Sequence, residues 1–249
     1  MAAKQIVLIT GANGGIGFEA ARQLIASANK HVLLGSRSVE KGEKAVAELQ
    51  SLGLPGPVEL VQLDVSSHAS IAAAAKLVAD KHGRVDCIVN NAAISGALLP
   101  QDKPVYDQMR ECFQANAIGP VMVVDEFAHL LKKSTMTPRI INVSSGAGSI
   151  ERRTAADSQI RNLSAIQYRA SKAALNMVTA DQAVMHEEDG WKVFAYCPGF
   201  TVSNLSDMNQ ASNGAKPTSE GTKPLVDLIN GKRDAESGKF VHTTGQYPW

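Results

Sequence analysis

Tyr168 and Lys172 stand four residues apart in the stretch Tyr168-Arg169-Ala170-Ser171-Lys172, whose pattern predicts a helix. Four residues advance an α-helix by about 6 Å and a little over one turn, so both side chains leave the same face. A free tyrosine ionises at roughly pH 10 and exchanges protons poorly at neutrality. An adjacent ammonium favours the phenolate and lowers that value. The pair can therefore serve general acid–base chemistry. A solvated lysine one turn from a half-buried tyrosine has the same spacing, so the meaning of the pair depends on what else the chain brings to it.

A glycine-rich segment, Thr10-Gly11-Ala12-Asn13-Gly14-Gly15-Ile16-Gly17, follows the apolar run Ile6–Ile9 and opens a helical pattern. Gly11 suits a tight turn, Gly15 lets backbone approach a pyrophosphate, and Gly17 lets helix and strand pack closely. A helix N-terminus there offers free N–H groups and a positive dipole end to phosphate oxygens. Asn13 and Ile16 lie inside the turn and are candidate cofactor contacts. A second apolar run ends in Gly35-Ser36-Arg37, and no acidic residue follows until Glu40. An acidic side chain at such a strand end would hold the ribose hydroxyls of NAD, whereas an arginine accommodates the 2′-phosphate of NADP. Arg37, with Ser36 and Asn13, is read as the phosphate contact, which favours NADP(H). A solvated arginine after a strand is the alternative.

These residues need a scaffold that carries strand ends to one edge. Candidate strands are Ile6–Ile9, His31–Leu34, Val58–Leu63, Cys87–Asn90, Ile140–Val143, Val193–Tyr196 and Lys239–Val241. Several are continuously apolar, as strands covered on both faces are. Helical patterns at Ile16–Ser27, Val39–Ser51, Ser70–His82, Tyr106–Lys132, Ser164–Glu188 and Ser219–Asn230 separate them. The alternation predicts an α/β doubly wound Rossmann fold: one seven-stranded parallel sheet flanked by helices, with right-handed crossovers. No linker-like stretch divides residues 1–249, which read as one dinucleotide-binding and catalytic domain. Residues 146–163 and 204–217 are polar and aperiodic. Both follow predicted strands, so both are candidate substrate-site loops.

Composition narrows the partners. Hydrophobic residues at 44% and charged residues at 20% describe an ordinary soluble chain, and a net charge of +1 gives no reason to expect nucleic acid or an acidic membrane surface. Six histidines and three cysteines are scattered without metal-ligand spacing, so no metal site is expected. Cys87 and Cys197 lie in or beside apolar runs and read as buried free thiols. The N-terminal apolar run is too short for a signal segment or membrane span, and cytoplasm is the expected location.

With the glycine turn and the Tyr-x-x-x-Lys pair in one chain, the sequence resembles the short-chain dehydrogenase/reductase family from about Lys4 onward. Thr10–Gly17 fits that family's T-G-x-x-x-G-x-G pattern, and Asp64-Val65 fits its adenine-contacting pair. Asn90-Asn91-Ala92-Ala93 is similar to its N-N-A-G, which makes Asn91 and Ala92 candidate cofactor contacts. Asn116 falls at its helix asparagine. Ser144-Ser145 fits its double serine, of which Ser145 is catalytic by the family pattern and Ser144 supplies a hydrogen bond at the strand end. Pro198-Gly199 fits the turn after the sixth strand, with Thr201 or Ser203 beyond it against the nicotinamide carboxamide. The resemblance implies hydride transfer to a carbonyl. Tyr168 would be the general acid and Ser145 a hydrogen-bond donor to the same oxygen. Lys172 would lower the tyrosine pKa and hold the ribose, while Asn116 held a water linking Lys172 to solvent.

The 23-residue spacing from Ser145 to Tyr168 is longer than is common in the family. Such insertions occur in its monomeric carbonyl reductases, to which Gly238-Lys239-Phe240-Val241 and Trp249 are also similar. Gly148-Ser149-Ile150 and Tyr168–Asn176 look instead like the smaller sniffer-type carbonyl reductases. Both comparisons imply NADPH-dependent carbonyl reduction by a monomer or homodimer rather than a tetramer. Ile94–Leu99, Gly146–Thr154, Phe200 and 204–217 would wall the site, a mixture suited to a hydrophobic or polycyclic ketone. The alternatives are an NAD(H)-dependent alcohol dehydrogenase and a non-catalytic NADP-binding regulator.

Overall fold

The first strand, β1 (Gln5–Ile9), is buried at every position, as an apolar run must be when helices cover both faces of its sheet. It lies in a seven-stranded sheet with β2 (Lys30–Ser36), β3 (Val58–Gln62), β4 (Cys87–Asn90), β5 (Arg139–Val143), β6 (Lys192–Tyr196) and β7 (Phe240–Val241). The order is β3-β2-β1-β4-β5-β6-β7, and every pairing is parallel. The expected doubly wound Rossmann sheet is therefore present. Strand order reverses between β1 and β4, and the crevice at their carboxyl ends is where such sheets bind ligands. The computed structural model describes residues 3–96, 102–158, 160–161 and 164–249.

The helices are α1 (Gly15–Ile25), α2 (Val39–Ser51), α3 (His68–His82), α4 (Val105–Phe113), α5 (Gly119–Leu131), α6 (Ile150–Thr154), α7 (Ile166–Met185) and α8 (Thr218–Ile229). Alternation along β1 splits the core in two: Val7 and Ile9 pack with Ala20 and Leu24 of α1 and Leu225 of α8. Ile6 and Leu8 pack with Ile71 and Val78 of α3 and Phe127 of α5. Serine caps fix two helix starts, Ser38 accepting from the Lys41 N–H and Ser67 from the Ser70 N–H.

Two expectations need correction. Tyr106–Lys132 is not one regular helix, because a π-helical turn, Gln114–Ile118, separates α4 from α5. Residues 146–163 are not wholly aperiodic, since they hold a 3₁₀ turn (Gly146–Gly148) and α6. These elements are three and five residues long, too short to show a helical period. Ala97, Leu98 and Leu99 of the expected wall lie outside the described residues, as do positions 159, 162 and 163. Among the described residues no helix is long and apolar enough to cross a membrane.

Candidate active site

Strand β5 delivers the two serines to different places. Ser144 is 3% exposed; its N–H donates to the Tyr196 carbonyl at 2.7 Å and its hydroxyl to Asn176 Oδ1 at 2.6 Å. It is a strand-end fastening. Ser145 caps the 3₁₀ turn, its Oγ accepting from the Ala147 N–H at 3.2 Å, and its hydroxyl lies close enough to the Tyr168 phenol to influence its ionisation. Gly148 lets this turn lie against α7, because a Cβ there would fall 2.6 Å from the Lys172 carbonyl carbon. Lys172 is 2% exposed. Its Nζ donates to the Val143 carbonyl at 2.8 Å and sits 5.8 Å from the centre of the Tyr168 ring.

Burial rather than the lysine charge sets the protonation of this pair. Desolvation pushes the Tyr168 phenol above its ordinary value, and the nearby Ser145 hydroxyl draws it partly back. Desolvation also takes the Lys172 ammonium down to about 8. The lowering of the tyrosine pKa expected from four-residue spacing is thus reversed.

Asn116 is fully buried within the π-helical turn. Its Oδ1 accepts from the Ile94 N–H at 2.9 Å, while its Nδ2 donates to the Ile94 carbonyl at 2.8 Å and to Ser171 Oγ at 2.9 Å. Its side-chain amide is spent on protein groups. It fastens the segment after β4 to α7 one residue before Lys172. π-Helical turns recur at functional sites, but a single inserted residue leaves little mark on hydrophobic periodicity.

The glycine turn is shaped for close backbone approach. Gly11 and Gly15 have φ of 61° and 56°, which L side chains rarely adopt. A Cβ on Gly11 would lie 2.8 Å from Ala92 Cα. Asn91 Nδ2 donates to the Thr10 and Gly11 carbonyls at 2.9 and 3.0 Å. Thr10 Oγ1 accepts from the Asn91 and Ala92 N–H groups, each at 3.0 Å. Asn13 is exposed and Ile16 half-buried. At the end of β2, Arg37 is exposed and has no acidic partner among the described residues. Ser36 is fully buried and donates to the Ser38 carbonyl at 2.8 Å, which removes it from the expected phosphate contacts. Half-buried Asp64 accepts from the Ser66 N–H at 2.9 Å, and Val65 is buried beside it. Positive-φ glycines that leave the turn bare of side chains, with an exposed guanidinium at the end of the adjoining strand, fit a phosphorylated dinucleotide.

After β6, Pro198 is buried and Gly199 takes φ 77°. Thr201 is 1% exposed, bonds the Pro198 carbonyl at 3.0 Å and crowds Gly221 of α8, so it packs against α8 instead of facing the nicotinamide. Ser203 and Asn204 instead lie over the glycine turn, 3.5 and 3.2 Å from where Cβ atoms on Gly15 and Gly14 would stand. The 204–217 segment also accepts at the Leu205 carbonyl from Ser95 Oγ, 2.5 Å away. Neither contact could be read from the sequence, since both depend on how a long loop folds back. Arg152 covers the Tyr247 ring at 4.1 Å, tying residues 146–154 to the last residues of the chain. Cys87, Cys112 and Cys197 are buried free thiols, and Cys197 Sγ accepts from the Gly146 N–H at 3.1 Å.

One grouping contradicts the expectation of no metal-ligand set. The ligating atoms of His31, Glu59 and His82 lie within 4.8 Å of one another, far from one another in sequence but adjacent across β2, β3 and α3.

A short chain dehydrogenase family model matches residues 5–214. Short-chain dehydrogenase/reductase ATR10 of Stachybotrys chlorohalonatus is 36% identical, covering 98% of this chain and 90% of its own. The NADPH-bound carbonyl reductase from chicken fatty liver superposes with a TM-score of 0.84 at 26% identity over all of both chains. Salutaridine reductase from Papaver somniferum gives 0.72 at 25% identity, over 90% of this chain and 95% of that one.

Proposed function

Because this chain belongs to the short-chain dehydrogenase/reductase family, we propose that it is an NADPH-dependent reductase of a ketone or aldehyde. The observation that carries the reading is that the Ser145 hydroxyl and the buried Lys172 ammonium both lie beside Tyr168, at strand ends that also hold the glycine turn. The chemistry NADPH supplies when bound is a hydride for the carbonyl carbon. Tyr168 donates its phenolic proton to the carbonyl oxygen as that oxygen gains charge. Burial keeps the phenol protonated at neutral pH, the form a reduction requires. Ser145 donates a hydrogen bond to the same oxygen. Lys172 holds the ribose hydroxyls, and Asn116 positions the turn of α7 that carries Tyr168 and Lys172. Gly11, Asn13, Gly15, Ile16 and Gly17 cradle the pyrophosphate, Arg37 takes the 2′-phosphate, and Asp64, Val65, Asn91 and Ala92 border the adenosine half. Pro198 and Gly199 border the nicotinamide.

Ile94, Phe200 and the apolar parts of both loops suit a hydrophobic ketone, a reading supported by relatives named for carbonyl and salutaridine reduction. The extra structure at 146–163 and its packing on Tyr247 support a monomer or homodimer. The test is cofactor consumption against aldehydes, diketones, quinones and polycyclic ketones, with NADPH and NADH in parallel. Turnover with NADPH on hydrophobic ketones is expected. Binding of NADPH without turnover on any of them would point to a regulator instead.

A further inference from the structure

We propose that His31, Glu59 and His82 form a site for one divalent transition-metal ion, bound through two imidazole nitrogens and one carboxylate. Sheet register builds it. Leu33 pairs with Glu59 across β2 and β3, and side chains two apart on a strand share a face. His31 and Glu59 therefore emerge together on the face covered by α3, whose final residue is His82. Both imidazoles aim Nε2 at the same carboxylate oxygen: His31 Nε2 is 3.2 Å from Glu59 Oε1, and His82 is closer still. The rings meet edge to face with centroids 4.9 Å apart; an Nε2 this close to a carboxylate oxygen carries its proton, so an ion would bind by displacing the two imidazole protons that face Glu59.

The three side chains are 11% to 22% exposed, held by two strands and a helix end while one side stays open to water. A tetrahedral ion with bonds of about 2.0–2.2 Å spaces its ligands roughly 3.4 Å apart. Closing the present 4.8 Å spread requires side-chain movement on the order of 1 Å. Imidazole with a single carboxylate suits Zn²⁺, Ni²⁺ or Cu²⁺, whereas Mg²⁺ and Ca²⁺ take oxygen ligands. Lys81 also donates to Glu59 and so competes with the ion for the carboxylate. His31 lies at the start of β2 and Arg37 just past its end, about 20 Å apart at the rise of a strand. The ion would clamp the base of the sheet to α3 without reaching the proposed chemistry.

The test is calorimetric titration of the EDTA-treated protein with ZnCl₂, with MgCl₂ as the contrast, alongside thermal melts and turnover. The expected result is one Zn²⁺ per chain, a melting temperature raised by Zn²⁺ but not Mg²⁺, and unchanged turnover. Affinity should fall at least about tenfold in His82→Asn and Glu59→Gln. It should rise about three- to fivefold in Lys81→Ala, the worth of a partly exposed ion pair. Absence of one-to-one binding, or wild-type affinity in His82→Asn and Glu59→Gln, overturns the site. If those variants do not fold, unchanged or weaker binding in Lys81→Ala overturns it instead.

Discussion

Asn116 donates a 2.9 Å hydrogen bond to Ser171 Oγ, and Ser171 in turn donates to the Tyr168 carbonyl at 2.8 Å. The π-helical turn is thereby fastened to the one turn of α7 that spans Tyr168 and Lys172. Because Asn116 also holds both backbone groups of Ile94, it joins three segments at one buried point.

Asn116→Ala should leave the Ile94 N–H without its partner and the Ile94 carbonyl with only the Cys112 thiol at 4.0 Å, destabilising the fold by roughly 1–3 kcal/mol. Ser171→Ala removes one link and should lose about 1 kcal/mol. Urea unfolding of the two variants measures the difference. Equal losses would show that the Ile94 bonds carry nothing.

Arg37→Asp should replace a phosphate partner with a repelling charge. Charge-assisted bonds contribute about 1.5–3 kcal/mol, so kcat/KM with NADPH should fall about 10- to 150-fold while that with NADH holds or rises. Steady-state kinetics with each cofactor decides it, and an unchanged ratio would take Arg37 out of the site.

Gly17→Ala would put a Cβ 2.5 Å from Asn91 Nδ2 and 2.9 Å from Ala12 Cα. The amide can swing away only by releasing the Thr10 and Gly11 carbonyls, so the glycine turn should loosen. The expected outcome is NADPH affinity at least about tenfold weaker by fluorescence titration, with the far-ultraviolet dichroism of the native fold retained.

The sheet was legible because most of its strands carry a short buried apolar run, and Cys87–Asn90 matches the predicted strand end to end. Short-range signals also served: Ser38 caps α2 where the pattern predicts Val39 to begin. What escaped depends on distant chain meeting distant chain. Ser36 and Thr201 carry the right hydroxyls, but burial against Ser38 and Gly221 decides their use. The spacing of Tyr168 and Lys172 located them together, yet their depth reversed the pKa expectation. Ser203 and Asn204 reach the glycine turn only because the segment after β6 folds back across it.

Lys172 makes stability depend on pH. Its folded pKa of about 8 lies below the roughly 10.4 of an unfolded lysine, so the unfolded chain binds more protons between those values and stability rises with pH there. Below about pH 8 both states are protonated and the burial penalty, on the order of 3 kcal/mol, is fully present. Lys172→Met should be more stable than the natural chain near pH 7.5, and the gap should narrow by pH 9.5. Urea unfolding across that window checks it, and a constant gap would contradict the burial argument.

The most direct measurement is single-turnover oxidation of NADPH by Tyr168→Phe with a ketone that the natural chain reduces. Loss of the phenolic proton donor should slow hydride transfer by about 10²- to 10⁴-fold while NADPH affinity stays within a few-fold of the natural value. Near-full turnover by Tyr168→Phe would contradict the assignment of Tyr168 as the general acid.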